Sequence, residues 1–224
     1  MTNKSLKSFR DTVEAIIVAL LLAFFIRAFI VQAFKIPSGS MLETLQIGDH
    51  LLVSKFAYDV RLPSSILFKE TPSGQRYFSV LDTTDGKELY KVGDPQRGDI
   101  AVFKFPEDES KDFIKRVIGL PGETIEVKDK VVYIDGKALD EPYVHHTKAG
   151  SMPVRDNFGP YVIPQGQYFM MGDNREGSYD SRWWGTVKRE KIVGKALIIY
   201  WSWDGPTNIR LGRIGRVFHH PFAN

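Results

Sequence analysis

Apolar residues are distributed in two ways along this chain. From Val13 to Phe34 nearly every position is apolar, interrupted by Glu14, Arg27 and Gln32. Beyond Phe34 the apolar runs become short and are bounded by turn formers, a pattern that predicts β structure. Asp99–Phe105 is apolar with partial alternation, and Pro106 closes it. Thr124–Val127 and Val131–Ile134 are strand-like runs joined by Lys128–Lys130, and Asp135-Gly136 turns the chain again, which predicts a hairpin. Lys195–Trp201 reads as a buried strand. Residues 59–97 hold Pro63, Pro72, Gly74, Gly86, Gly93 and Pro95 among short strand-like pieces such as Tyr77–Val80, and predict a protruding hairpin or flap. Residues 140–160, with His145 and His146, are a second irregular stretch.

The N-terminal stretch predicts a membrane anchor over residues 13–33, with 1–12 as a short cytoplasmic segment. The uncharged run Ala15–Ile26 is short for a span of about 20 residues, and Arg27 near its outer end can snorkel to the interface. Lys4, Lys7 and Arg10 precede the run and favour a cytoplasmic N-terminus. Two other readings fit the same residues. One is a cleaved secretory signal, with Val31–Ala33 as a small-residue cleavage site, and the other is a buried core helix.

Composition narrows the chemistry. The chain has 224 residues, 43% hydrophobic and 25% charged, enough after the apolar stretch for one domain with a real core. Its net charge of +3 comes without a long basic run, so nucleic acid is not an expected partner. The absence of cysteine excludes disulfides, thiolate metal sites and a cysteine nucleophile. The five histidines, His50, His145, His146, His219 and His220, form no zinc-protease pattern. No Ser-x-x-Lys occurs, while a Ser–His–Asp triad stays open on spacing alone.

Three segments carry candidate chemistry. Ser38-Gly39-Ser40 offers two hydroxyls around a permissive glycine: one to attack, the other to join a backbone N–H in holding an oxyanion. A turn leaving the membrane explains the same tripeptide. Lys115 sits among Phe113, Ile114, Val117 and Ile118, with Arg116 facing the other side of a strand. A serine hydroxyl needs a base, and an ordinary lysine, with a pKa near 10.4, costs about 4 kcal/mol to neutralise at pH 7.4. Burial lowers a lysine pKa by up to roughly 3–5 units, so an apolar site can supply that base. An exposed lysine on a half-buried strand is the plainer alternative. Met171–Arg182 is a polar loop dense in hydrogen-bonding groups, able to brace a site through acid–arginine pairs or to lie solvated at the surface.

Taken together, four segments in order resemble bacterial type I signal peptidase, the membrane-bound leader peptidase: Ile36–Met41, Arg97–Phe103, Lys115–Gly122 and Gly172–Arg182. The resemblance implies Ser40 as nucleophile, Lys115 as general base, Ser38 as an oxyanion donor beside the Ser40 N–H, and Ser178 as a hydrogen-bonding partner that orients the lysine. It matches Arg116, Asp173, Asp180 and Arg182 to charged positions that brace the site. Phe34, Ile36, Met41, Leu45, Phe113 and Ile114 match positions lining shallow pockets for small substrate side chains. Glu43 stands where the family often has proline. The extra domain of larger members must be small or absent here, since about 50 residues separate Lys115 from the last segment, and the chain has one candidate span where some relatives have two.

The resulting expectation is a mainly β protein: an N-terminal transmembrane helix followed by an antiparallel β-sheet, barrel-like catalytic domain over 34–224. It implies a peptidase in the bacterial cytoplasmic membrane, with its body on the outer side, cutting after Ala-x-Ala. Its partners are signal-bearing preproteins and the lipid bilayer, with the secretion translocon as a candidate neighbour, and its chemistry calls for no metal or cofactor. The rivals are a serine–lysine peptidase of narrower substrate range and a catalytically silent, membrane-anchored binding domain.

Overall fold

The computed structural model describes residues 2–26, 30–62, 68–70, 76–78, 86–146, 156–205, 207–218 and 221. The first helix, α1, spans Thr2–Phe25, and the chain re-enters as an edge strand, β1, at Val31–Lys35. The helix thus begins before the 13–33 stretch expected as an anchor and ends within it. Helix covers most of 1–12 as well, and Val31–Ala33 belongs to the sheet, because this stretch finds ladder partners in β2 (Asp49–Ser54), from Val31 opposite Ser54 to Lys35 opposite His50. Among the described residues no helix is long and apolar enough to cross a membrane. Lys4, Lys7, Arg10, Asp11 and Glu14 occupy its first half. The apolar part from Ala15 onward rises only about 17 Å, against a hydrocarbon core of about 30 Å. The apolar side chains of α1 that are described, including Ile16, Val18, Leu21 and Phe25, are exposed.

Seven antiparallel strands form the main sheet. Their order is β1, β2, β15 (Ile192–Ser202), β7 (Ile100–Phe105), β8 (Asp108–Gly119), β13 (Gln167–Met171) and β14 (Val187–Lys188). With β1 and β14 at opposite edges, this sheet is open among the described residues, which corrects the barrel-like expectation. Pro106 ends β7 where expected, having no N–H to donate to a ladder. The Lys195–Trp201 run lies inside the longer β15.

The stretch between Lys115 and the last motif folds as a small second sheet, ordered β11 (Lys137–Ala138), β10 (Val131–Ile134), β9 (Thr124–Lys128) and β12 (Phe158–Val162). Its β9–β10 turn is tight, with Asp129 and Lys130 both at positive φ, and Asp135-Gly136 repeats that geometry before β11. Such turns match the twist of the flanking strands. The predicted flap begins and ends in a two-stranded ribbon, β3 (Asp59–Arg61) with β6 (Glu88–Lys91). Within it β4 (Phe68–Glu70) pairs with β5 (Arg76–Phe78). Its segments 63–67, 71–75 and 79–85, the 147–155 part of the second irregular stretch, and His219 and His220 lie outside the described residues.

Three apolar clusters fix this frame. One joins Phe103, Val117, Met170 and Ile192; a second packs Ile118, Phe169 and Met171 against Ile125 and Val132 of the small sheet; the third gathers Ile36, Met41 and Leu45 on Leu51, Ile100 and Ile199. The third cluster attaches the segment after β1 to the sheet, and that segment carries Ser40.

Candidate active site

The path from β1 to β2 is a compact turn held by its own apolar residues. Ile36 donates its N–H to the Asp49 carbonyl at 2.8 Å, and Leu45 donates to the Met41 carbonyl at 2.8 Å. With Ile36, Met41 and Leu45 buried on the inner side, Ser40 is turned toward β8 and is only 7% exposed, while Ser38 is exposed. Among the residues expected to line substrate pockets, Phe34, Phe113 and Ile114 are half-buried. Ile36, Met41 and Leu45 are closed into the core.

Lys115 lies on β8 opposite Ala101 of β7, and Arg116 is opposite Ile100, so the two side chains leave opposite faces. Lys115 Nζ is 2.7 Å from Ser40 Oγ and donates to the Ile114 carbonyl at 3.1 Å. The Phe113 ring lies alongside, 5.4 Å from Nζ to its centroid. Burial lowers the Lys115 pKa from 10.5 to about 8, and the more distant Asp180 and Asp173 only partly oppose it. At that pKa, neutralising the lysine at pH 7.4 costs about 1 kcal/mol instead of about 4.

Arg116 and Asp173 form a buried two-pronged pair. Nε donates to Oδ1 at 2.8 Å and Nη2 to Oδ2 at 2.6 Å, Nη1 donates to the Gly98 carbonyl, and the guanidinium lies 3.9 Å from the centre of the Tyr143 ring. The Thr44 hydroxyl donates to Asp173 Oδ2 at 2.6 Å, tying the Ser40 turn to this pair. A second pair joins Asp180 to Arg182 at 2.8 and 2.9 Å, just before the short helix α2 (Ser181–Trp184), which Asp180 caps through the Arg182 N–H. Burial alone raises the Asp180 pKa. The Arg182 charge and the hydrogen bonds from Arg182 and the Gly172 N–H outweigh it and hold the carboxyl below its ordinary value.

Ser178 is buried beside this carboxylate, but its hydroxyl makes no well-directed hydrogen bond, so the expected bond orienting Lys115 is absent here. The loop and the Ser40 turn meet at Gly172. A Cβ there would lie 2.4 Å from the Ser40 carbonyl oxygen and 2.3 Å from Ser178 Oγ, so only glycine allows the approach.

A profile described as "Signal peptidase, peptidase S26" covers residues 9–201. The chain is 38% identical to signal peptidase I of Pseudomonas aeruginosa over 225 residues, spanning 86% of this chain and 72% of that one. It is 37% identical to the probable signal peptidase I-2 of Synechocystis, covering 84% and 71%. It is 32% identical to signal peptidase I of Bacillus licheniformis, covering 91% and 94%. The chain belongs to the signal peptidase family, peptidase S26. It is therefore a peptidase.

Several residues of this signal peptidase site carry no signal in the sequence. Tyr143 reaches Arg116 from the irregular stretch after the small sheet, and Glu141 accepts from Tyr143 at 3.0 Å and pairs with buried Arg175. Asn174, inside the recognised loop, binds the backbone on both sides of Ser40. Nothing in the sequence pairs it with Gly39, 135 positions away.

Proposed function

We propose that this chain is a membrane-associated serine endopeptidase that removes N-terminal signal peptides from exported preproteins, cutting after small residues of the Ala-x-Ala type. The observation that carries this reading is the 2.7 Å approach of Lys115 Nζ to Ser40 Oγ in a buried site that lowers the lysine pKa to about 8.

In this mechanism neutral Lys115 takes the proton from the Ser40 hydroxyl as Oγ bonds to the scissile carbonyl carbon. The oxyanion is held by the Ser38 hydroxyl and the Ser40 N–H, which have no protein hydrogen-bond partner among the described residues. The Lys115 ammonium then protonates the leaving amine, the C–N bond breaks, and an ester to Ser40 remains. Water, giving its proton to Lys115, hydrolyses that ester and restores the hydroxyl. The two acid–arginine pairs fix β8 and the loop without placing a carboxylate in ion-pair contact with Nζ, which keeps the base usable.

The substrate segment lies extended along the site, where main-chain hydrogen bonds give affinity and small pockets give specificity. Phe34, Phe113 and Ile114 are the accessible apolar residues for those pockets. The exposed apolar side chains of α1 support lipid association, with the N-terminus on the cytoplasmic side and the β body outside. The test is cleavage of a purified signal-bearing preprotein by wild type, Ser40→Ala and Lys115→Met, with the product N-terminus sequenced. The reading requires a cut after Ala-x-Ala by wild type alone, and is lost if either variant, folded, still cuts.

A further inference from the structure

We infer that Asn174 is a positioning residue for the oxyanion site: it holds the Gly39–Ser40 peptide unit so that the Ser40 N–H points at the developing oxyanion. The inference rests on the serine–lysine reading above. A peptide group is planar and trans, so its C=O and N–H point in opposite directions. Whatever fixes the Gly39 carbonyl therefore aims the Ser40 N–H. Asn174 Nδ2 donates to that carbonyl at 3.0 Å, with a longer contact from the Leu42 N–H at 3.3 Å. The Asn174 backbone N–H donates to the next carbonyl, that of Ser40, at 3.2 Å. One residue thus holds the carbonyls on both sides of the nucleophile.

The side-chain orientation of Asn174 follows from its neighbours. The Gly177 N–H can only donate, and it lies 3.1 Å from Oδ1; the Gly39 carbonyl can only accept, and it faces Nδ2. Asn174 itself is 6% exposed, and its backbone is fixed by a bridge to His145: the His145 N–H donates to Asp173 O at 2.9 Å and Arg175 N–H to His145 O at 3.2 Å. The donor chain from the loop into the Gly39 carbonyl also polarises the Ser40 N–H, since hydrogen bonds in series strengthen one another.

The test uses the full chain with Asn174→Asp and Asn174→Ala, an Ala-x-Ala peptide substrate, and a peptide boronate of the same sequence that forms a tetrahedral adduct on serine. Asn174→Asp keeps the acceptor for Gly177 and the backbone N–H but turns the donor to Gly39 into a carboxylate oxygen, whereas Asn174→Ala removes the donor without adding charge. Removing a whole oxyanion donor costs about 10²–10³ in kcat. Loss of its aim should lower kcat about 10–100-fold in both variants. KM should stay within about twofold, the pH limb near 8 should not move in Asn174→Ala, and boronate affinity should fall in step with kcat. A wild-type kcat, or a loss confined to KM, overturns the inference while leaving the dyad intact, provided Ser40→Ala is inactive. Failure of both variants to fold makes Asn174 part of the scaffold and also overturns it. An active Ser40→Ala overturns this inference together with the reading beneath it.

Discussion

Lys115 and Arg116 are consecutive residues on one strand, each 4% exposed, yet their charges are handled in opposite ways. On one face, Arg116 meets a carboxylate in two-pronged contact, a carbonyl and an aromatic ring, so its permanent charge is matched. On the other, Lys115 meets a hydroxyl, a carbonyl and a phenyl ring, and Asp180 and Asp173 act on it only from a distance. Burial is the same; the nearest partner decides whether the buried charge is matched or disfavoured. The arginine could not exchange roles, since a guanidinium keeps its proton in proteins and has no lone pair to accept one.

The largest effects should come from removing one half of the reactive pair. Ser40→Ala or Lys115→Met should lower cleavage by more than about 10³-fold with the fold retained, read by single-turnover kinetics and circular dichroism. The Lys115 change should not weaken the fold, because methionine fills the stem's space without a charge to desolvate. On the opposite face the expectation reverses. Asp173→Ala leaves a buried arginine unpaired and should cost about 3–5 kcal/mol in denaturant unfolding. Adding Arg116→Met to it should recover much of that loss. If Asp173→Ala proved neutral, the contrast between the two faces would be wrong.

Gly172→Ala tests the joint between the faces. Its Cβ must push the Ser40 carbonyl or Ser178 away. We expect a cost of about 1–3 kcal/mol in stability and a larger drop in kcat than in KM. A subtler effect is the pH dependence of stability. The folded Lys115 pKa of about 8 lies below its unfolded value of 10.5. Between those pH values the unfolded chain binds a proton that the folded chain lacks. Stability should therefore rise with pH across that window, by about 3 kcal/mol in total. Lys115→Met should lack this rise when compared by urea unfolding.

The residues that the structure brings together around Ser40 stand out in the sequence only as a set, since each segment alone has a plainer reading and the four in order carry the resemblance. Ser40, Lys115, Arg116, Asp173, Asp180 and Arg182 all fall in such segments, and the Asp129-Lys130 turn was legible from its flanking strands. The missed features are long-range or depend on boundaries. Tyr143 and Glu141 brace the site from a stretch with no periodic pattern. The helix extends back through a polar N-terminus that reads as a tail, and Val31–Ala33 leaves the apolar run because β2 offers it ladder partners. Met41 and Leu45, expected at a substrate surface, instead hold the turn down, since the turn's apolar side must pack somewhere. Ser178 is supplied by the motif, but its buried hydroxyl has no well-directed hydrogen-bond partner.

The most direct measurement is the titration of Lys115 itself, by nuclear magnetic resonance of a Lys115 side chain labelled at Cε and Nζ, beside the pH profile of kcat/KM. The account predicts that Nζ titrates at about 8 and that kcat/KM rises with pH through the same value. A Lys115 that titrates near 10.5, or an activity limb that persists unchanged in a Lys115 variant, would contradict it.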